Sequence, residues 1–543
     1  MSLALKIDHL SLRLPLQGDR PYAIERLSLS IPAGGTLCVA GESGSGKSAL
    51  ALAVMGLLPP GIRPEQGSID VAGHTVLAAG RYAAERQLRQ WRGARMAMVF
   101  QEPMTALNPL MTCGRQVDEA LRLHGRLSCA ARRARILEVF DAVQLDAPER
   151  IFRSYPHQLS GGQRQRVVLS MAMILRPALL ICDEPTTALD VTTQAEILTL
   201  ISRLQQEQGT TVLLITHDLG VAARMGGDLL VMHEGQVVEQ GAVADVLVRP
   251  EHPYTRRLLA AVPSMVPPDS RVEPETPVML AGRGVRKRYR HGSLWRQTEQ
   301  EVLRSVDLSV RAGEIVGVVG ESGSGKSTLA RCLVRLEMPD AGKIEWQGWP
   351  VENLPERQLR DVRHLVQIIS QDPGRSLNPR RRIGDTLAEG ALNRGMPVAE
   401  AQRLARGLLE QAQLPPDALN RYPHQFSGGQ RQRLAIARAL ACQPRVLIAD
   451  EAVSALDVTT QAHIVALLRD LQSRLGLGIV FITHDLRVAA QLCDRVLVLR
   501  RGRVVEQGRT AEVFGQPRHE YTRSLLAAAP VLPMPALDPE FQT

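Results

Sequence analysis

Two lysines and the residues around them offer the clearest chemistry. The octapeptide GESGSGKS occurs at 41–48 and again at 320–327, and only five lysines stand in the whole chain. A Gly-x-x-x-x-Gly-Lys-Ser stretch suits a phosphate. Gly41, Ser43, Gly44 and Gly46, and in the second copy Gly320, Ser322, Gly323 and Gly325, allow backbone N–H groups to curl round phosphate oxygens. A helix beginning there adds its partial positive charge. Lys47 and Lys326 would reach the β- and γ-phosphates, and Ser48 and Ser327 would place a hydroxyl on Mg²⁺.

Carboxylates complete the chemistry. Asp183–Glu184 and Asp450–Glu451 each follow a run of apolar residues, where a charged pair is costly without a metal or polar partner. Asp183 and Asp450 fit as support for Mg²⁺, and Glu184 and Glu451 as the group that polarises an attacking water. His217 and His484 come 33 residues after their glutamates in the same ITHD context, suited to a γ-phosphate contact. Gln101 and Gln371 follow MAMVF and VQIIS, placed to bond Mg²⁺ or the water.

The elements that must hold these residues can be read from the same stretches. TLCVAG (36–41), LLICDE (179–184) and TVLLITH (211–217) in the first half, and IVGVVG (315–320), VLIADE (446–451) and IVFITH in the second, read as buried strands ending in a glycine loop, carboxylates or histidine. Such continuous apolar runs with helices between them indicate a parallel sheet covered on both faces. Ligands of open α/β sheets lie at the carboxyl ends of the strands, where all of these residues fall. Residues 102–160 and 372–427 carry helix-type charge patterning and are expected to form a separate helical lobe in each half.

The chain is a long tandem repeat. Besides the octapeptides, YPHQLSGGQRQR at 155–166 returns as YPHQFSGGQRQR at 422–433, and ICDEPTTALDVTTQAEI at 181–197 as IADEAVSALDVTTQAHI at 448–464. The period, close to half of 543 residues, far exceeds a solenoid repeat and indicates two duplicated domains. Their expected extents are 1–262 and 282–543, joined by the proline-rich stretch 263–281.

Composition narrows the class. No run of about 18 apolar residues occurs, so no membrane-spanning helix is expected. The N-terminus alternates like a strand and lacks the apolar core of a secretion signal. Seven scattered cysteines without paired spacing argue against a disulfide framework, a zinc site or an iron–sulfur cluster. The net charge of +9, spread over 543 residues, is weak evidence for nucleic acid.

The ordered set of GxxxxGKS, Gln, [LF]SGGQ, Asp-Glu, ALD and ITHD resembles the nucleotide-binding domain of ABC ATPases, and the resemblance covers nearly the whole chain. It implies an α/β fold: two P-loop NTPase domains in tandem, each a RecA-like core with a helical subdomain, using ATP and Mg²⁺. It further implies intramolecular head-to-tail pairing with two composite sites. One would combine Lys47, Ser48, Gln101, Asp183, Glu184 and His217 with Ser427, Gly428, Gly429 and Gln430. The other would combine Lys326, Ser327, Gln371, Asp450, Glu451 and His484 with Ser160, Gly161, Gly162 and Gln163. Asp190 and Asp457 would lie between them. With every position filled, two hydrolytically competent sites are expected. The copies depart at Ala452, which stands where the first has Pro185, and at the adenine-stacking aromatic: Tyr289 fits in the second copy, whereas the first has Leu14, with Tyr22 as a possible substitute.

FQEPMTALNP and SQDPGRSLNP, with HPYTRRLLAAVP and HEYTRSLLAAAP, are similar to the peptide/nickel importer ATPases, in a fused arrangement like the glutathione- and microcin-type importers. The implied partners are two integral-membrane permease subunits, docked near 102–109 and 372–379, and indirectly an extracytoplasmic solute-binding protein. The implied location is peripheral, on the cytoplasmic face of the bacterial inner membrane. No nucleic acid and no iron–sulfur cluster is expected. The alternative is an ABC-F type ATPase acting on the ribosome, which the short proline-rich linker disfavours.

Overall fold

The computed structural model describes residues 2–15, 20–101, 106–187, 189–268, 275–293, 296–454, 456–530 and 532. Residues 102–105 of the expected docking segment and 269–274 of the proline-rich stretch lie outside them. The chain divides into two compact units, one formed mainly by residues 1–189 and 193–262, the other by 263–529.

The first unit holds two sheets. Strands β1 (Leu3–Arg13), β2 (Tyr22–Pro32), β4 (Arg63–Val71), β5 (His74–Ala78) and β6 (Arg81–Tyr82) form an antiparallel sheet in the order β2-β1-β4-β5-β6. The other sheet uses β3 (Thr36–Ala40), β7 (Met96–Val99), β8 (Leu179–Asp183), β9 (Thr211–Thr216), β10 (Asp228–His233) and β11 (Gln236–Ala242), in the order β11-β10-β3-β9-β8-β7. It is parallel from β10 to β7, with β11 antiparallel at its edge.

Alternate residues of its central strands enter different cores. Cys38, Cys182 and Leu214 join one hydrophobic cluster, whereas Val39, Ile181 and Leu213 join another. Both faces are therefore covered, which is why these strands read as unbroken apolar runs. Between β7 and β8 lie the helices Cys113–His124, Cys129–Ala142 and Pro148–Arg153, within the stretch expected to form a helical lobe.

The second unit repeats the plan. Strands β12 (Val278–Ser293), β13 (Arg296–Arg311), β15 (Ala341–Trp346) and β16 (Trp349–Pro350) form an antiparallel sheet. The other sheet uses β14 (Ile315–Val319), β17 (Val366–Ile369), β18 (Val446–Asp450), β19 (Gly478–Ile482), β20 (Arg495–Arg500) and β21 (Arg503–Arg509), in the order β17-β18-β19-β14-β20-β21. Its strands alternate likewise: Leu447 and Phe481 enter one core, Ile448 and Val480 the other.

The proline-rich stretch ends earlier than 281. Strand β12 begins at Val278, and Leu280 pairs with Val310 and Trp346 and is fully buried. A single apolar tetrad after Pro277 suffices because two strands flank it. The antiparallel sheets were not foreseen either. Their strands alternate only in part, as β1 does; most pair with the next strand along the chain, and only β1–β4 and β12–β15 join distant stretches.

Candidate functional site

Each phosphate loop leaves its sheet at the carboxyl end of a central strand, β3 or β14, and runs into the helices Lys47–Met55 and Lys326–Leu333. The glycines are required by space as well as by conformation. Gly41 and Gly320 both have φ near +149°, and a Cβ there would lie 2.2 Å from the Met232 carbonyl oxygen or 2.1 Å from that of Leu499. Gly46 and Gly325, at φ +107° and +108°, turn the chain into the helix. The buried Lys47 ammonium donates to the carbonyls of Gly41 and Glu42, both at 2.7 Å; Lys326 donates to Gly320 at 2.7 Å and Glu321 at 2.8 Å. Burial draws the Lys326 ammonium below its ordinary pKa, against the opposing charges of Glu451 and Asp450.

The carboxylate pairs converge on the same place. Ser48 Oγ donates to Asp183 Oδ1 at 3.2 Å, and Ser327 Oγ to Asp450 Oδ1 at 3.1 Å. Burial pushes the Asp183 carboxyl up to about 6, with the neighbouring Glu184 charge adding to the rise and the Ser48 bond opposing it. Asp450 is raised by the same causes. A buried carboxylate beside a hydroxyl, both at the mouth of a phosphate loop, is an oxygen donor set that fits Mg²⁺ bound together with phosphate. The loop, whose glycines at 41, 46, 320 and 325 leave little or no room for a Cβ, fits the phosphates themselves.

Glu184 and Glu451 sit one residue beyond β8 and β18 with φ +48° and +50°, a left-handed backbone uncommon for glutamate. Their N–H groups donate to Ile215 O and Ile482 O, both at 2.9 Å, which ties each turn to the next strand. Gln101 Nε2 donates to Glu184 at 2.7 Å, as Gln371 does to Glu451. His217 Nδ1 lies 3.0 Å from Glu184 Oε1, and His484 Nδ1 3.7 Å from Glu451 Oε2. Burial alone would raise both glutamates, but the adjoining histidines and lysines outweigh it and hold both carboxyls below their ordinary range. In each unit, lysine, serine, glutamine, aspartate, glutamate and histidine are thus brought to one end of one sheet.

The SGGQ residues form a second feature in each unit. Ser160 caps the helix Gly161–Met173: its Oγ accepts from Gln163 N at 3.3 Å, and Gln163 Oε1 accepts from Ser160 N at 3.1 Å. Ser427 and Gln430 do the same for the helix Gly428–Leu440, at 3.3 and 3.0 Å. A Cβ on Gly162 would come within 2.6 Å of the Thr193 methyl, and one on Gly429 within 2.3 Å of the Thr460 methyl. Gly161 and Gly428 stay exposed at the helix start. The copies differ nearby: Arg166 pairs with Glu196 at 2.7 Å, whereas His463 takes the place of Glu196 in the second copy.

The adenine candidates diverge. The Tyr289 hydroxyl donates to the Glu337 carboxylate, and the Lys287 ammonium lies 5.6 Å from the ring centre. Leu14 packs partly buried against the core of its unit, and Tyr22 bonds Glu65 through its hydroxyl.

Several contacts were missed by sequence reasoning. Thr187 Oγ1 adds a third bond to Glu184, at 3.0 Å; the corresponding Ser454 bonds the Glu451 backbone carbonyl instead. Arg20 donates to the Gly44 carbonyl of the first loop. Tyr254 and Tyr521 also touch the phosphate loops. The only signal for the tyrosines was the repeated His-x-Tyr-Thr, at 252–255 and 519–522.

Comparison with known proteins adds the following. A family model described as ABC transporter matches residues 24–187 and 303–454. Another, described as the oligopeptide/dipeptide transporter C-terminal region, matches 238–282 and 505–540. The peptidoglycan transport ATP-binding protein YejF of Agrobacterium fabrum is 43% identical over 97% of this chain and 96% of its own length. The glutathione import ATP-binding protein GsiA is 43% identical in Escherichia coli K12 and 42% in Salmonella choleraesuis, each match covering 97% of this chain and 89% of the relative.

Proposed function

The chain belongs to the ABC transporter ATP-binding family, and from that premise we propose that it is the ATPase subunit powering uptake of a peptide or peptide-derived solute. The observation that carries the ATPase reading is the part-buried Glu–His pair, bonded by an exposed glutamine and set beside a lysine-bearing phosphate loop, present in both units. Support for the solute class comes from the two C-terminal matches and from relatives whose names specify peptidoglycan and glutathione transport. The ribosome-acting alternative finds no support among these relatives.

In this reading each loop grips the phosphates of ATP through its backbone amides and lysine. Ser48 with Asp183, and Ser327 with Asp450, would hold Mg²⁺, which when bound would neutralise charge on the phosphates. Gln101 and Gln371 orient the attacking water; Glu184 and Glu451 accept its proton while the histidines fix the carboxylates. Among the described residues no helix is long and apolar enough to cross a membrane. Transport therefore requires permease partners, two in this reading, docked near residues 102–109 and 372–379 at the cytoplasmic face of the inner membrane, with a solute-binding protein outside.

The test is affinity isolation of the full chain from detergent-solubilised membranes, with ribosome co-sedimentation in parallel. Recovery of two integral-membrane subunits, with ATP hydrolysis stimulated by a loaded binding protein, is the expected result. Recovery with ribosomes and without membrane subunits overturns the transport reading.

A further inference from the structure

The C-terminal stretch of each unit reaches back to its own phosphate loop. The backbone N–H of Glu42 donates to the Tyr254 hydroxyl at 3.1 Å, and that of Glu321 to the Tyr521 hydroxyl at 3.1 Å. The carbonyls of the same two glutamates accept the loop lysines, at 2.7 and 2.8 Å, and the N–H groups of Ser45 and Ser324, both at 3.2 Å. Each glutamate is thus pinned on both sides, by a phenol behind and an ammonium in front.

The phenols are themselves firmly placed. Glu239 accepts the N–H groups of Glu251 and His252, at 2.7 and 3.1 Å, and His252 Nδ1 accepts Tyr254 N at 3.2 Å. Glu506, Arg518, His519 and Tyr521 repeat the relay at 2.7, 3.1 and 3.0 Å. The His233 ring stacks on Tyr254 with centroids 4.0 Å apart, and the Arg500 guanidinium lies 4.5 Å over the Tyr521 ring. His233 and Arg500 end the strands whose preceding carbonyls, of Met232 and Leu499, face Gly41 and Gly320. One strand end therefore abuts the loop and supports the tyrosine that holds it. Both tyrosines are 3% exposed, and burial pushes the Tyr521 phenol up to about 12, so it stays neutral.

Resting on the reading of these loops as ATP sites, we propose that Tyr254 and Tyr521 are positioning residues for nucleotide. They fix the Glu42 and Glu321 peptides in the conformation that presents the lysine and the loop amides to phosphate. The C-terminal region is then a working part of each ATP site.

The test uses the full chain with Tyr254→Phe and Tyr521→Phe, singly and together, titrated with Mg²⁺ and the non-hydrolysed analogue AMP-PNP. Phenylalanine keeps the ring and its stacking and removes only the oxygen. The expected result is about a fivefold rise in Kd per altered site, the worth of one net hydrogen bond, with KM for ATP rising in step and kcat within about twofold. Unchanged affinity, or a fall in kcat at unchanged KM, overturns the proposal. Hydrogen exchange in the unaltered, nucleotide-free chain is a second measure that needs no variant. The amides of Glu42 and Glu321 are expected to be protected, and rapid exchange at both overturns the proposal. If the unaltered chain fails to bind AMP-PNP, the ATPase reading fails instead.

Discussion

His217 Nδ1 stands 3.0 Å from the Glu184 carboxylate, closer than the 3.7 Å between His484 and Glu451. Burial opposes charge on both members of the first pair, yet their mutual attraction leaves Glu184 below and His217 above its ordinary pKa. The sign of each contribution follows by linkage. Stability from the raised His217 is complete below about pH 6.5 and disappears as pH rises through its folded-state value. Stability from the lowered Glu184 is present above about pH 4.5 and lost as pH falls through its folded-state value. The pair therefore stabilises the nucleotide-free first unit most in mildly acidic solution. His217→Gln is expected to lower unfolding free energy by about 1 kcal/mol at pH 6, with the difference shrinking in alkaline buffer. Urea unfolding across pH measures this; a difference that grows with pH contradicts it.

Glu184 receives bonds from Gln101, Thr187 and His217, whereas Thr187 has no equivalent at the Glu451 carboxylate, because Ser454 bonds the backbone. Both glutamates nevertheless have a lowered pKa, so each carboxylate is ionised at neutral pH and free of a proton of its own. Glu184→Gln and Glu451→Gln made singly are each expected to cut ATP turnover to half or less, and the double variant by at least about a hundredfold. Full activity in one single variant with none in the other rules out two competent sites.

Asp183 tests the magnesium assignment. Its folded-state pKa of about 6 exceeds the ordinary 3.8, so at pH 7 its ionised carboxylate costs the metal-free protein stability. Asp183→Asn is expected to stabilise the nucleotide-free chain at pH 7 by about 2 kcal/mol while abolishing Mg²⁺-dependent hydrolysis. The gain disappears below pH 4, where the carboxyl is protonated folded or unfolded. Calorimetry in the presence of a chelator reads the stability change and an ATPase assay with added Mg²⁺ reads the loss of hydrolysis; retained Mg²⁺-dependent hydrolysis contradicts the assignment.

Gly41 and Gly320 admit no side chain, because each proposed Cβ position lies within 2.2 Å of a backbone oxygen. Gly41→Ala and Gly320→Ala are expected to lose about 3 kcal/mol of stability in the affected unit and to lose nucleotide binding at that site. Gly44 and Gly323 have open space around them and a positive φ, so alanine there is expected to cost only about 1 kcal/mol. Thermal midpoints rank the four variants, and equal costs at Gly41 and Gly44 contradict the packing argument.

The sheet core and the candidate cluster at the strand ends were legible because their signals are local. Each strand is a short apolar run, and each functional residue falls at its carboxyl end or in a tight motif. The contacts that hold the cluster were not legible, because they join residues distant in the chain. Glu42 and Tyr254 are 212 residues apart, and nothing about a tyrosine in a C-terminal helix announces a bond to a loop amide. Thr187 and Ser454 are chemically alike, and only the rotamer sends one hydroxyl to a carboxylate and the other to a carbonyl. Distance explains only part of the antiparallel sheets, where β1 pairs with β4 across some 60 residues; their other strands pair with the next strand along the chain.

The left-handed backbone at Glu184 and Glu451 has an evolutionary consequence. Glycine or asparagine would occupy that conformation at lower cost, so random drift at these two codons runs downhill towards residues that can no longer accept a proton. A duplicated gene offers two chances for such decay, since one intact copy can mask the other's loss. Both copies nevertheless carry glutamate there, so each unit holds this carboxylate on a backbone that glycine or asparagine would occupy at lower cost.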